Sequence, residues 1–310
     1  MLRFRNVNII LTDACNLCCK YCCRDTAGES NLAFTEEMKD YLRNLSPAWC
    51  DSVIADGGEP LLCWDKVKEL FSYVPAGIRK TIMSNCTLLT QEIVDYINAN
   101  DIVLRISHDG PATKYLRGID VLDKPALRDL IQQVKYIHCF SVITKHNTNV
   151  WENFFDTAKK LGRINFEYDT FPVSDKFAYP EGKNLIEGFD YEEWITTYTQ
   201  FKKSPYSRYR FPWTTKQKAQ KKTIAGIIRP GGFLVKPNGR VCGCMSTAAD
   251  YGSVIHTNDF VDCCRSLIRT GVLDDCIVSS CKYKDVCCNN TQFVSEHICK
   301  CRRLMWEALG

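Results

Sequence analysis

Residues 15–23 read CNLCCKYCC, and five of these nine residues are cysteine. Only one choice within the run gives the spacing C-x3-C-x2-C, namely Cys15, Cys19 and Cys22. A start at Cys18 would need cysteine where Asp25 stands, and a start at Cys19 would need it at Thr26. An ordinary four-iron cluster is held by four thiolates, so a tight loop offering three leaves one iron open to a further ligand. Zinc is the competing metal, but structural zinc prefers four closed ligands, usually as C-x2-C pairs with a distant second pair. Cys18 and Cys23 are then surplus and read as small apolar fillers facing the core or the outer side of the loop. Cys50, Cys63, Cys86 and Cys139, in or beside helices and strands, get the same reading.

The chain around this run has 310 residues, 45% apolar and 25% charged. That is enough for one large core, or one core and a small appendage, and it excludes a disordered chain. The only apolar run near the N-terminus, Val7 to Leu11, is too short for a signal peptide or a membrane span. The expected location is the cytoplasm. There thiols stay reduced, and 19 cysteines point to metal or redox chemistry rather than a disulfide framework. Net charge is +4 but unevenly spread: residues 194–249 hold no Asp or Glu and eleven Lys or Arg, so the remainder is net acidic. This stretch, interleaved with Tyr206, Tyr209, Phe211 and Trp213, reads either as a surface for an acidic peptide or nucleic-acid backbone or as a solvated connecting segment.

The elements that must position these residues alternate in type. Apolar or β-branched runs at Val7–Leu11, Val53–Ala55, Thr81–Met83, Ile102–Ile106, Phe140–Thr144 and Ile164–Tyr168 read as strands. Between and after them, Thr35–Leu45, Trp64–Val74, Gln91–Ala99, Ala126–Val134 and Trp151–Leu161 read as helices, with Thr35 and Thr90 as N-caps. Strand, helix, strand at this spacing predicts parallel strands joined by right-handed crossovers. Six units in sequence predict an α/β fold, a partial (β/α)6 TIM-like barrel, whose chemistry sits at the C-terminal ends of the strands. The cysteine run follows the first strand and GGEP (57–60) follows the second, so both fall on that rim. After Thr170 the alternation stops. The expected division is a barrel domain over 1–225 and a small cysteine-rich domain over 226–310.

CNLCCKYC, with Tyr21 before its third cysteine, resembles the signature of radical S-adenosylmethionine (SAM) enzymes, and GGEP is similar to their SAM-binding motif. MSNCTLLT (83–90) and ISHDGP (106–111) are similar to the TNGTLLT and SLDGP stretches of the branch containing anaerobic sulfatase-maturating enzymes and peptide maturases. The resemblance covers most of residues 5–170. It implies that Cys15, Cys19 and Cys22 hold a [4Fe–4S] cluster with an open iron for SAM, that Gly57, Gly58 and Glu59 receive the amino end of SAM, and that Tyr21 lies near the adenine. Glycine suits a place where backbone must approach a ligand closely. His108, ending a strand at the rim, reads as structural.

The C-terminal cysteines carry a second resemblance. Cys244 lies five residues after Gly239, similar to the G-x4-C element of SPASM and twitch domains, which hold auxiliary clusters; YGSV (251–254) and the C-x5-C of Cys281 and Cys287 follow. At least one auxiliary [4Fe–4S] cluster is implied, with ligands drawn from Cys242, Cys244, Cys276, Cys281 and Cys287. The chain departs from that pattern in three places: no cysteine stands at 223–229, Cys276 replaces a C-x2-C partner, and Thr291 stands where a further cysteine is usual. A zinc knuckle is the alternative for this tail. Cys263 and Cys264 read as packing residues that are also candidate hydrogen donors to a substrate radical.

Three functions stay open on the sequence. The first is C–H abstraction from a ribosomally made peptide or protein, ending in a crosslink, epimerisation or oxidation; the closeness of the first strand to residue 1 leaves little room for an N-terminal peptide-recognition domain. The second is oxidation or epimerisation of a sugar or aminocyclitol, although a polycation fits poorly beside the acid-free stretch. The third is a non-catalytic iron–sulfur electron carrier, against which the three-cysteine loop paired with GGEP argues. The partners expected are a peptide or small-molecule substrate, acidic in character, and a low-potential reductant of the flavodoxin or ferredoxin type, with no nucleic acid and no membrane.

Overall fold

The computed structural model describes residues 4–22, 31–47, 50–173, 185–207, 232–235 and 241–242. In chain order its elements are β1 (Phe4–Ile10), α1 (Glu36–Arg43), β2 (Cys50–Asp56), α2 (Trp64–Tyr73), β3 (Arg79–Ser84), α3 (Gln91–Ala99), β4 (Val103–Ser107) and α4 (Thr113–Arg117). Then follow α5 (Pro125–Gln133), β5 (Tyr136–Ile143), α6 (Val150–Leu161), β6 (Glu167–Pro172), α7 (Tyr191–Lys203), β7 (Gly232–Val235) and β8 (Val241–Cys242). The six strands β1 to β6, alternating with helices, make an α/β fold of the partial, TIM-like (β/α)6 class.

The described residues fall into two compact units. One holds residues 4–16 and 31–82 with β7 and β8; the other holds 17–22, 83–173 and 185–207. In the first, β1 runs parallel to β2 on one side and to β7 on the other, β2 is parallel to β3, and β8 returns antiparallel to β7. Val53, Ile54 and Ala55 are consecutive and all buried, as a strand covered on both faces requires. In the second, β5 runs parallel to both β4 and β6.

The two N-caps hold: Thr35 Oγ1 accepts from the Met38 amide at 3.3 Å and Thr90 Oγ1 from that of Ile93 at 3.3 Å. The helices keep their expected places to within a residue or two. The last strand does not. It lies at Glu167–Pro172 rather than 164–168, because α6 ends on Gly162 in the left-handed region (φ +66°) and the chain needs the next residues to turn; Ile164 is left 53% exposed. The helix α7 was not expected at all. It buries Trp194, Tyr198 and Phe201, and Phe201 meets Phe154 of α6 at 4.9 Å and Tyr168 of β6 at 5.6 Å. Among the described residues no helix is long and apolar enough to cross a membrane.

Of the C-terminal cysteines, Cys242 lies in β8, described in backbone only. Cys244, Cys263, Cys264, Cys276, Cys281 and Cys287 lie outside the described residues, as do Cys23 and most of the acid-free stretch.

Candidate functional site

Past the end of β1 the chain stays bound to the exit of β2 through backbone hydrogen bonds. The Leu11 amide donates to the Asp56 carbonyl at 2.9 Å, the Gly58 amide to Thr12 at 2.8 Å, and the Glu59 amide to Ala14 at 2.8 Å. This pairing explains the two glycines. A Cβ at Gly57 would stand 2.6 Å from the Thr12 carbonyl oxygen, and one at Gly58 2.1 Å from that of Ala14. Backbone carbonyls cannot swing aside, so the first demand on glycine here comes from the Thr12–Ala14 segment leading into the cysteine run. Glu59 is fully buried, and its Oε1 accepts from the Leu61 amide at 3.0 Å, capping the short turn Pro60–Cys63.

Cys15 belongs to the first unit, and residues 17–22 pack with the second. There the Cys22 amide donates to the Cys19 carbonyl at 3.0 Å, closing a turn, and the Lys20 amide donates to the Leu116 carbonyl in α4 at 2.8 Å. Tyr21 reaches the end of β4, where its hydroxyl donates to Asp109 Oδ2 at 2.6 Å. Asp109 is fully buried and takes three more donors: Arg117 Nε at 2.7 Å, Arg117 Nη2 at 3.1 Å and the Val142 amide at 2.8 Å. The guanidinium carbon of Arg117 lies 5.2 Å from the centre of the Tyr21 ring. Burial pushes the Tyr21 hydroxyl well above its usual pKa, with Arg117 opposing and Asp109 adding to the rise. Burial also works against the charge of Arg117, but Asp109 outweighs it and the guanidinium is more firmly protonated than usual.

His108, beside Asp109, turns the other way. Its Nδ1 is 2.8 Å from Thr157 Oγ1, and its Nε2 is 3.2 Å from Asp120 Oδ1, while Lys160 Nζ donates to Asp120 Oδ2 at 2.6 Å. The ring is fully buried and fully engaged within the second unit, which is the structural role expected of it. Next comes Gly110, at φ +63°, where a Cβ would stand 2.6 Å from the Cα of Asn153, so the HDGP motif also sets the approach of α6. In MSNCTLLT, Cys86 is fully buried at φ +62°, and its amide donates to Ser84 Oγ at 2.8 Å.

The eight cysteines whose side chains are described are thiols, none of them joined in a disulfide. Cys15, Cys19 and Cys22 are half-buried, and Cys18 points to solvent, on the outer side of the loop. Cys50, Cys86 and Cys139 are buried as fillers should be, Cys63 only partly, and burial pushes the Cys50 thiol up to about 12 and the Cys63 thiol up to about 11. Among the described residues no group of three or more Cys, His, Asp or Glu is gathered closely enough to hold a metal ion. By its chemistry the donor set fits an iron–sulfur cluster: Cys15, Cys19 and Cys22 are thiols outside any disulfide and not sealed in the core, and Cys19 and Cys22 share a hydrogen-bonded turn. What sequence reading missed is Asp109. The HDGP motif drew attention to His108, while the neighbouring carboxylate is the group that meets the cysteine loop.

An α/β partial barrel with a three-thiol run after its first strand defines a class, and comparison supplies the family. Residues 9–174 match the family model of the radical SAM superfamily, more than half of the chain, and the chain belongs to that superfamily. It is 29% identical over 216 residues, 62% of its length, to the AdoMet-dependent heme synthase of Methanosarcina barkeri (strain Fusaro / DSM 804), and 23% identical over 211 residues, 63% of its length, to the protein of the same name from Nitratidesulfovibrio vulgaris. The chain spans only 57% and 55% of those two relatives. Among solved structures it is similar in fold to native anSMEcpe with bound AdoMet and Kp18Cys peptide, at a TM-score of 0.70 and 16% identity, covering 98% of this chain and 96% of that one. It is also similar in fold to Streptococcus suis SuiB bound to precursor peptide SuiA, at a TM-score of 0.59 and 16% identity, covering 84% of this chain and 64% of that one.

Proposed function

We propose that this protein is a radical SAM enzyme that abstracts a C–H hydrogen from a ribosomally made peptide or protein. The observation that carries this reading is the unique C-x3-C-x2-C register of Cys15, Cys19 and Cys22 inside the matched family region, its first cysteine directly following the Thr12–Ala14 segment to which the GGE stretch is bonded. When bound, a [4Fe–4S] cluster with one open iron supplies the electron that cleaves SAM to a 5′-deoxyadenosyl radical, the species that takes the hydrogen. The residues of the chain hold and orient. Cys15, Cys19 and Cys22 are the thiolate ligands, Gly57 and Gly58 keep the Thr12–Ala14 backbone close to the β2 exit, and Glu59 stiffens the turn behind it. In this reading Tyr21 borders the adenine side.

The C-terminal residues are read as a SPASM or twitch-like domain over 226–310, with an auxiliary cluster on four of Cys242, Cys244, Cys276, Cys281 and Cys287. Such a cluster, held by those cysteines, would supply an acceptor for the surplus electron of an oxidation or crosslink, while Cys263 or Cys264 would supply the hydrogen of an epimerisation. The substrate is an acidic peptide, the reductant a flavodoxin or ferredoxin, and the location the cytoplasm. Likeness over nearly the whole chain to a peptide-bound maturase supports the peptide. A second reading, a small-molecule substrate, is favoured by the two relatives named AdoMet-dependent heme synthase.

Anaerobically reconstituted protein should hold about eight irons, the content of two four-iron clusters, and lose about half when Cys15, Cys19 and Cys22 become alanine. With dithionite and SAM it should release 5′-deoxyadenosine. Zinc without iron, or no 5′-deoxyadenosine, would overturn the enzyme reading. Mass spectrometry of an acidic peptide and a tetrapyrrole, each incubated with the reduced enzyme, separates the two substrate classes.

A further inference from the structure

We infer that Asp109, locked by Arg117, is a positioning residue for the stretch that carries Cys19 and Cys22, acting through the Tyr21 hydroxyl. The inference rests on the cluster reading above. An ionised carboxylate offers about four acceptor sites, and Asp109 has four donors: Tyr21 and Arg117 on Oδ2, Arg117 and the Val142 amide on Oδ1. With no exposed surface, it is a saturated anchor rather than a base. Arg117 and Val142 fix it to α4 and β5, and Tyr21 is the donor that comes from the cysteine loop. Tyr21 stands two residues after Cys19 and immediately before Cys22. Its ring packs against Ala112, Leu116, Val173 and Leu185, and the Lys20 amide, one residue earlier, is bonded to Leu116. Two adjacent residues between the cysteines are therefore pinned to the second unit, one by backbone and one by the buried carboxylate.

A merely structural ion pair is the competing account, and the molecule contains its own control. The Asp120 carboxylate, bonded to His108 and Lys160, is similarly buried, and its described partners all lie in the second unit outside the cysteine run. Replacing it should lower stability without reaching Cys19 or Cys22.

The test compares Tyr21→Phe, Asp109→Asn, the double variant Asp109→Asn/Arg117→Gln and Asp120→Asn with the wild-type full chain. Tyr21→Phe keeps the ring and deletes one hydrogen bond, so it stays informative if Asp109→Asn, which strands a buried guanidinium, fails to fold. Two readouts are taken: alkylation rates of Cys18, Cys19 and Cys22 in the iron-free chain, resolved by peptide mass spectrometry, and the rate at which reconstituted protein loses iron to a chelator, with the electron paramagnetic resonance spectrum of the reduced cluster. Tyr21→Phe should raise alkylation of Cys19 and Cys22 roughly tenfold or more, the weight of one hydrogen bond to a charged group. It should leave the exposed Cys18 unchanged, and should speed iron loss by a like factor with an altered spectrum. Asp120→Asn should lower the melting temperature and change none of these. Wild-type alkylation, iron loss and spectrum in Tyr21→Phe would overturn the inference, as would an equal rise at Cys19 and Cys22 in Asp120→Asn. Iron that does not depend on Cys15, Cys19 and Cys22 would sink the cluster reading instead, and leaves the alkylation contrast standing.

Discussion

Gly58 faces the Ala14 carbonyl oxygen so closely that a Cβ would stand 2.1 Å from it and 2.4 Å from that of Asp13. At Gly57 the nearest atom to such a Cβ is the Thr12 carbonyl oxygen, at 2.6 Å. Both obstacles are backbone, so relief requires parting the β1 exit from the β2 exit and giving up the Gly58–Thr12 and Glu59–Ala14 hydrogen bonds. Gly58→Ala should therefore cost about 3 kcal/mol, the upper part of the range for forced overpacking, and Gly57→Ala less. Urea unfolding gives the order, and iron retention after reconstitution should follow it.

Cys86 is a non-glycine residue in the left-handed region, with φ +62°. For an L-residue this conformation costs about 1–2 kcal/mol, and here the amide bond to Ser84 Oγ and complete burial hold it. Cys86→Gly should stay within about 1 kcal/mol of wild type, the conformational relief offsetting the lost side-chain packing. Cys86→Val, of similar bulk but branched at Cβ, should lose at least about 2 kcal/mol by adding strain at a special backbone conformation. Equal stability of the two variants in urea would contradict this account.

The contrast between those two sites marks what the sequence made legible. The alternation of apolar runs and amphipathic helices, with Thr35 and Thr90 as caps, is local information, and it placed five strands and five helices near their observed bounds. The cysteine register is also local. The reason for Gly57 and Gly58 is not, because it depends on the Thr12–Ala14 backbone more than forty residues earlier, nor is the Tyr21–Asp109 bond, which joins residues 88 apart. Helix α7 had a local signal that went unread: Asp190 caps the Glu193 amide at 2.8 Å, and Trp194, Tyr198 and Phe201 follow at helical spacing. The basic, aromatic character of the stretch up to Lys222 masks that signal.

Asp120 predicts a pH dependence. Burial alone would raise its carboxyl, but the hydrogen bond and charge of His108, then those of Lys160, more than reverse this and hold it well below the usual carboxylate range. A depressed folded-state pKa stabilises the fold above the unfolded value, about 3.9, and that stabilisation is lost as pH falls toward the folded value. At pH 7 Asp120→Asn should cost about 2 kcal/mol, as for a hydrogen bond to a charged group. The gap between variant and wild type should narrow as pH falls from 4 toward 2. Urea titrations of the iron-free chain across that range measure the gap, and one that stays constant with pH would remove Asp120 from the acid response.

The last prediction separates the two kinds of contact that hold α7 against α6. At one end Glu193 accepts from Thr148 Oγ1 and, at 3.1 Å, from Asn149 Nδ2, the side chain that caps α6. At the other, Phe201 is almost fully buried among Trp151 at 5.2 Å, Phe154 at 4.9 Å and Tyr168 at 5.6 Å. The polar end is part-buried, and Glu193→Gln keeps an acceptor oxygen there, so it should cost about 1 kcal/mol. Phe201→Ala empties a core site where three rings meet and should cost about 3–5 kcal/mol. If α7 is held mainly by this aromatic end, hydrogen exchange in Phe201→Ala should quicken along 191–203 while amides of β4 and β5 keep their protection. Phe201→Leu, which refills most of the volume, should recover more than half of the loss. A larger loss in Glu193→Gln than in Phe201→Ala would show that the polar end holds the helix and that the ring cluster only fills space.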